Sequence, residues 1–438
     1  MDVNISENVL EKLSNLYKLK KDEVKKILST PPQSAVIRVN INLININDAI
    51  EVCKSFLKNC DTHYSVKIHP QIKDALIIEP KNFENKPEPL QKEIIVDSSC
   101  GTAVLRGADI FVPGVLAANS NVVAGDLVSV YCDVKKKCRK GFTKHFDGEK
   151  FYLGNGKALF SRWQLFEEND VDKNDVCGVA IKMGESKFNL PSFHNLQPDL
   201  FFPQNLPSII VGHLLDIEEN DLVLDMCAAP GGKTSHLATL LRKGKLISID
   251  KTQNKVDRIK ENLRKLKLNN VECHCYDSTK ILCNEDENES DENGPPFPSS
   301  TFDRILLDPP CSGLGQRPQL RYTFSDKELA SYPILQKKFF KQAVPLLKTG
   351  GTLVFSTCTL CPEENEAQVA WALQSFSDLS LVEQEIRIGS IGLAGYGLSD
   401  EQREKVQRFD AVFNNYTRTD IYNDSIGFFI AKFVKRER

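Results

Sequence analysis

Two apolar runs late in the chain end in thiols: ILLDPPC closes on Cys311 and TLVFSTC on Cys358. Deprotonated, a cysteine is a strong nucleophile. One reaction that needs such a group is methylation of carbon 5 of cytosine. That carbon will not take a methyl group from a sulfonium until something has added to carbon 6 and made the ring an enamine. The addition pushes electron density onto the ring nitrogens, so a carboxyl group within hydrogen-bond range of N3 and the exocyclic amine stabilises the adduct. Asp308, three residues ahead of Cys311, is spaced for that task, and Pro309 and Pro310 keep the turn from winding into helix. Two thiols suggest attack and release as separate tasks, and spacing leaves open which does which. Taken singly, each cysteine is better read as a small buried residue.

A second constellation is the stretch CAAPGGKTS, Cys227–Ser235. A phosphate-binding loop of the Walker type needs a glycine five residues ahead of its Gly-Lys-Ser/Thr tail. Gly232, Lys233 and Thr234 supply the tail, but Cys227 occupies the first glycine position, and Pro230 removes a backbone donor that a phosphate cradle would use. The dinucleotide fingerprint G-x-G-x-x-G is also missing. A nucleoside with an amino-acid arm, S-adenosylmethionine, suits the residues better. Its carboxylate meets the amides of the loop from Cys227 through Ala228, Ala229, Pro230, Gly231 and Gly232 to Lys233, Asp250 takes its ribose hydroxyls and Asp277 its adenine amine. Each aspartate alone could instead cap a helix.

Positioning these residues calls for a parallel sheet. LVLD, LISID, VECHCYD, ILLDPPC and TLVFSTC each end in a polar or reactive side chain, and ligands bind beyond the carboxyl ends of strands in doubly wound sheets. From about residue 195 strand-like and helix-like segments alternate, as in an α/β Rossmann-like fold with helices on both faces. Ahead of it, residues 99–190 read as short strands broken by glycine and polar turns, a barrel-like module. Residues 1–98 read as a small mixed α/β region, opening on an amphipathic helix over residues 6–28 and a strand in SAVIRVNINL.

Composition narrows the class. The 438 residues are 41% hydrophobic, enough for two or three cores, and the net charge of −3 gives no overall attraction to polyanions. Nucleic-acid binding would therefore rest on local patches. One is Lys135, Lys136, Lys137, Arg139, Lys140 and Lys144, with Phe142 and Phe146 interleaved. Thirteen cysteines without a small-domain spacing fit reduced thiols, and with no secretory leader or long apolar run the expected setting is cytoplasmic or nuclear, away from membranes. Cys273-His274-Cys275 on a strand alternates faces and cannot close around one ion, so no metal is expected. The acidic run over residues 284–300 reads as a disordered surface loop, and the glycine-rich run over residues 389–397 as a mobile loop near the site.

Together, LDMCAAPGGKTSH, ISIDK, CYDSTK, ILLDPPCSGLGQRP and STCTLCPEENEAQVAWAL resemble the Sun-type family of RNA cytosine-5 methyltransferases. SSCGTAVLRGADIFVPGV with AGDLVSVY resembles the RNA-binding PUA domain that one branch carries ahead of its catalytic domain, and SIGFFIAKF resembles the same branch. The resemblance implies S-adenosylmethionine as cofactor, with Cys227 to Lys233, Asp250, Asp277 and Asp308 against it or its surroundings. It implies the cytosine at position 72 of the tRNA acceptor stem as target, with the CCA end as a contact, and messenger RNA stem-loops as a further substrate class. Monomeric action is the accompanying expectation. It also implies roles: Cys358 as nucleophile, Cys311 as the releasing thiol, Lys233 as an ion-pair partner orienting Asp308, Lys255 as a basic group beside the ribose, and Arg106, Phe111, Arg139 and Lys140 facing RNA.

Overall fold

In the computed structural model, the described residues are 3–58, 63–142, 145–166, 178–283, 294–414 and 424–437. The largest sheet lies in the last half of the chain. Its strand order is Val271–Cys275, Lys245–Asp250, Leu222–Asp225, Phe302–Leu307, Leu347–Thr357, Phe428–Lys435 and Leu379–Leu381, with Val406–Phe409 also pairing with Phe428–Lys435. The first five are mutually parallel; Phe428–Lys435 runs antiparallel to its neighbours. This is a Rossmann-like α/β arrangement. Helices Gly232–Leu240, Gln253–Lys265, Asp326–Leu346 and Glu366–Ser375 connect or flank the strands. The central strands read as unbroken apolar runs because both of their faces are covered: Val223, Leu224, Ile305, Leu306, Leu353 and Val354 are fully buried. The order of connection reverses between Leu222–Asp225 and Phe302–Leu307, which opens a crevice at their carboxyl ends.

A six-stranded sheet, in order Ile110–Phe111, Val179–Ser186, Lys150–Ala158, Leu127–Asp133, Glu93–Val96 and Val115–Ala118, forms the second module, with the helix Ser98–Leu105 between its strands in sequence. A four-stranded antiparallel sheet comprises Phe201–Pro203, Ala35–Val39, Ala75–Pro80 and Tyr64–Ile68. The sheets do not respect cuts at residues 98 and 190. Glu93–Val96 belongs to the six-stranded sheet, and Phe201–Pro203 completes the N-terminal one.

The amphipathic segment over residues 6–28 is two helices, Glu7–Tyr17 and Lys21–Ser29, broken where Lys18 takes a left-handed φ of 56°. The reversal lets both apolar faces, Val9, Leu10 and Leu13 on one and Val24, Ile27 and Leu28 on the other, enter one core shared with the six-stranded sheet and with Leu314, Leu320, Tyr322 and Leu360. A short parallel pairing of Asn4–Ile5 with Arg321–Tyr322 fastens the start of the chain to the loop that follows Cys311.

Two loop readings change. Of the acidic run, residues 284–293 lie outside the described residues, whereas Phe297 is buried in the catalytic core and bridges Leu282. The run over residues 389–397 is held rather than loose. Ser390 and Arg408 exchange backbone hydrogen bonds of 2.8 Å, Gly392 N–H donates to Arg403 O, and Leu393 N–H donates to Glu366 Oε1. No helix among the described residues is long and apolar enough to cross a membrane.

Candidate active site

The crevice gathers the reactive residues of the sheet. Cys311 lies in the loop after Phe302–Leu307 and Cys358 directly after Leu347–Thr357, and because these strands are parallel neighbours their two sulfurs stand 3.4 Å apart. Both cysteines are half-buried. The pair is electrically unequal. The Cys311 S–H directed at Cys358 holds the Cys358 thiol below its ordinary value against the opposing effect of burial, with help from the Gln316 side chain and the Lys233 charge. The same hydrogen bond, together with burial, pushes the Cys311 thiol well up. Of the two thiols, Cys358 is therefore the one that gives up its proton more readily, and Cys311 the one that keeps it.

Asp308 is fixed from both oxygens. Lys233 Nζ donates to Oδ2 at 2.7 Å and Ser356 Oγ to Oδ1 at 2.7 Å. The ammonium of Lys233 also lies 5.3 Å from the centre of the Phe428 ring, so one face of the ion pair is apolar, and the carboxylate raises the Lys233 value although burial opposes it.

Around the loop Cys227–Gly232 the local folding follows from small residues. Gly231, at φ 102°, begins the helix Gly232–Leu240 without a side-chain cap, leaving first-turn N–H groups for a ligand carboxylate. A Cβ on Gly231 would approach Ile259 Cα at 3.1 Å, so the positive φ and the close helix both require glycine. Asp225, beneath the loop, accepts from Thr234 Oγ1 at 2.8 Å, is pushed up to about 7 by burial, and keeps a buried Oδ1 with no hydrogen-bond partner. Asp250 receives Ala229 N–H at 3.1 Å and Lys251 N–H at 2.8 Å, and Lys255 Nζ lies 3.1 Å from it. It caps no helix, since Thr252 holds the N-cap position of Gln253–Lys265. Asp277 does cap the short turn Ser278–Lys280, accepting from Thr279 N–H, and also pairs with Lys251 at 2.9 Å. Open helix amides, an orphaned carboxylate oxygen and two acidic strand ends in one crevice fit S-adenosylmethionine, whose arm and ribose offer a carboxylate, an ammonium and two hydroxyls.

Of the residues assigned to RNA, Arg106, Arg139 and Lys140 are exposed and Phe111 is 40% exposed, edge-on to His194. Lys135, Lys136 and Lys137 are exposed as well, and Lys144 lies outside the described residues. The interleaved aromatics behave otherwise. Phe146 is buried, and it packs with half-buried Phe142 around Ile95, Ala117 and Cys138, so neither is a base-stacking platform. They anchor the basic loop.

Several partners have no signature in the linear pattern. Ser356 reaches Asp308 from inside a strand that reads simply as core. Glu364, buried, accepts Ser312 N–H at 2.8 Å and so ties the two thiol loops together. Asp74, His213 and His236 form a hub, with Asp74 accepting from one imidazole at 2.7 Å and the other at 2.9 Å. These are the only three potential metal ligands grouped among the described residues. The hub joins the N-terminal sheet to the helices Leu206–Leu214 and Gly232–Leu240, on elements other than those carrying the thiols.

Residues 212–434 match the family model described as 16S rRNA methyltransferase RsmB/F. The chain is 44% identical over 428 residues to the tRNA (cytosine(72)-C(5))-methyltransferase NSUN6 of Homo sapiens, covering 94% of this chain and 90% of that protein. It is 32% identical over 447 residues to the tRNA (cytosine(72)-C(5))-methyltransferase of Pyrococcus horikoshii, covering 99% of each. The crystal structure of NSun6 from Pyrococcus horikoshii with SFG superposes with a TM-score of 0.75 at 29% identity, covering 99% of both chains. With the motif loops, the strand order and these likenesses agreeing, the chain belongs to the RsmB/F family, the Sun-type RNA cytosine-5 methyltransferases.

Proposed function

We propose that this enzyme methylates carbon 5 of the cytosine at position 72 in the tRNA acceptor stem, through a covalent bond between Cys358 and the base, with messenger RNA stem-loops as a further substrate class. The observation that carries the covalent reading is the unequal thiol pair at 3.4 Å beside Asp308. The names of the relatives support the tRNA position. The six-stranded module is read as the PUA domain, holding the CCA end while Arg139 and Lys140 track phosphates. The protein is read as acting as a monomer, in the cytoplasm or nucleus.

The loop from Cys227 to Lys233, with Asp250, Lys255 and Asp277, would hold S-adenosylmethionine. When bound, the cofactor supplies a methyl group on a positively charged sulfur. The chain's own residues do the rest. An acceptor-end base is the cheapest to unstack, since it lies at a helix terminus. The Cys358 thiolate adds to carbon 6 while Asp308, steadied by Lys233 and Ser356, holds the N3 and amine edge. Once carbon 5 carries the methyl group, Cys311 assists loss of the carbon 5 proton; the carbon–sulfur bond then breaks, restoring the double bond and the Cys358 thiolate.

Adduct trapping on denaturing gels with an acceptor-stem RNA tests this. Cys311→Ala should accumulate a protein–RNA complex and Cys358→Ala none. The reverse would exchange the two roles, and absence of any adduct in either variant would remove the covalent reading. A P-loop nucleotidase, the competing reading of Gly232-Lys233-Thr234, predicts ATP hydrolysis, and none is expected.

A further inference from the structure

Between the helix Ser98–Leu105 and the segment after Cys311 lies a cleft of about 360 Å³. Ser98, Ser99, Thr102, Arg106, Gln316 and Arg321 line it, and no lining residue is a carboxylate or an aliphatic side chain. Such a surface favours a solvated anion with hydroxyl groups over an apolar ligand. Two features make it a built site. The Arg106 guanidinium is fixed, donating through Nε and Nη2 to Arg317 O at 3.2 and 3.0 Å, and Arg317 is itself buried and paired with Asp424 at 2.8 Å. Arg321 has a buried Nη1 with no hydrogen-bond partner, and its Nη2 makes a long contact of 3.5 Å to Thr323 Oγ1. A guanidinium held this lightly by the protein, on the wall of the cleft, keeps donors available to an anion that enters it.

The position of the cleft says which anion. Gln316 lines it, and Gly315 N–H, one residue earlier, donates to Cys358 O at 2.9 Å. The cleft is therefore one residue along the chain from a direct backbone tie to Cys358, on the side of the six-stranded module. We propose that it seats the phosphodiester and ribose adjoining the target nucleotide, with Arg321 as the phosphate ligand, the Ser98, Ser99 and Thr102 hydroxyls on the sugar–phosphate, and Gln316 as a positioning residue linking strand placement to Cys358. The site deepens the functional reading above and rests on it. The strand flanking the target base passes between the two modules, and its backbone charge is read there independently of sequence.

The test compares wild type with Arg321→Ala and Arg321→Lys on an acceptor-stem RNA and on the same RNA carrying one neutral methylphosphonate at successive positions around the target cytosine. For Arg321→Ala the expected result is a rise in KM for RNA on the order of tenfold, with kcat unchanged and the slope of log affinity against log salt shallower by about one. Arg321→Lys should keep the wild-type slope. One methylphosphonate position should weaken wild type about as much as the alanine change does and add nothing to Arg321→Ala, identifying the contacted phosphate. Because Arg321 joins the pairing with Asn4–Ile5 through its backbone, thermal melting of both variants should match wild type. Equal KM and salt slope in wild type and alanine variant, effects that add at every phosphate, or a lysine variant no better than alanine would overturn the assignment. Wild type that methylates no RNA would remove the functional reading itself, and the site with it.

Discussion

The Lys233–Asp308 pair carries a quantitative test. Their side chains are 16% and 25% exposed, and at 2.7 Å the bare Coulomb attraction at an effective dielectric of 20 is about 6 kcal/mol. Relief of the desolvation borne by the ammonium offsets part of that, and residual solvent access screens more, leaving about 2 to 3 kcal/mol for a single-partner deletion. Lys233→Met keeps most of the unbranched side chain while removing the charge. If Asp308 must stand oriented on the base edge in the transition state, single-turnover methylation at saturating cofactor and RNA should slow by roughly 30- to 150-fold. The adduct seen with Cys311→Ala should form correspondingly slowly. Lys233→Arg should recover part of the rate through the same charge. A Lys233→Met enzyme that methylates at the wild-type rate once both substrates saturate would refute this reasoning, because the lysine would then serve binding alone.

Four further outcomes are expected. In Cys311→Ala, loss of the S–H donor should raise the Cys358 thiol, so the pH midpoint of adduct formation moves upward from that of wild type; the rate of adduct appearance between pH 6 and 9 checks this. His236 is pushed down to about 4 by burial, below its unfolded value of about 6.5, so stability is retained above pH 6.5 and falls by up to about 3 kcal/mol as pH drops toward 4. His69 titrates in the same window, so the share of His236 is the flattening of the pH–stability curve in His236→Gln, measured by chemical denaturation. Arg408→Met should destabilise by about 3 to 5 kcal/mol, since it strands Glu366 and Asp410, which Arg408 pairs with at 2.9 and 3.1 Å in a fully buried network; a thermal melt reads it. Neutralising Arg139 and Lys140 together should weaken RNA binding and flatten its salt dependence while cofactor affinity, read by titration calorimetry, stays unchanged.

What could be seen in the linear sequence followed from locality. Strand–loop–helix units carry their signals within about ten residues, so the ends at Asp225, Asp250, Asp308, Cys311 and Cys358 announce a common crevice in the sequence itself. Pairings across long separations do not. Phe201–Pro203 joins a sheet begun at Ala35 because the two meet only in the folded chain, and Asp74 gains its imidazoles from helices more than a hundred residues away. Ser356 reads as one more small residue in a buried strand, and only the parallel pairing of its strand with Phe302–Leu307 reveals that its hydroxyl meets Asp308. Phe142 and Phe146 mislead in the opposite direction, since aromatics between lysines look like a stacking surface whether they point outward or inward.

The stitch between Asn4–Ile5 and Arg321–Tyr322, reinforced by Ser6 Oγ donating to Phe324 O across 318 residues of chain, has a consequence for biosynthesis. A ribosome must polymerise most of the protein before the opening segment meets its partner, and closing so long a loop is slow relative to local events. The first helices wait with their apolar faces uncovered, so this stage of production is the one at which a holdase chaperone would be needed. Methylating capacity comes later still, because Cys358 and the strand Phe428–Lys435 that pairs with Leu347–Thr357 are made after Arg321–Tyr322.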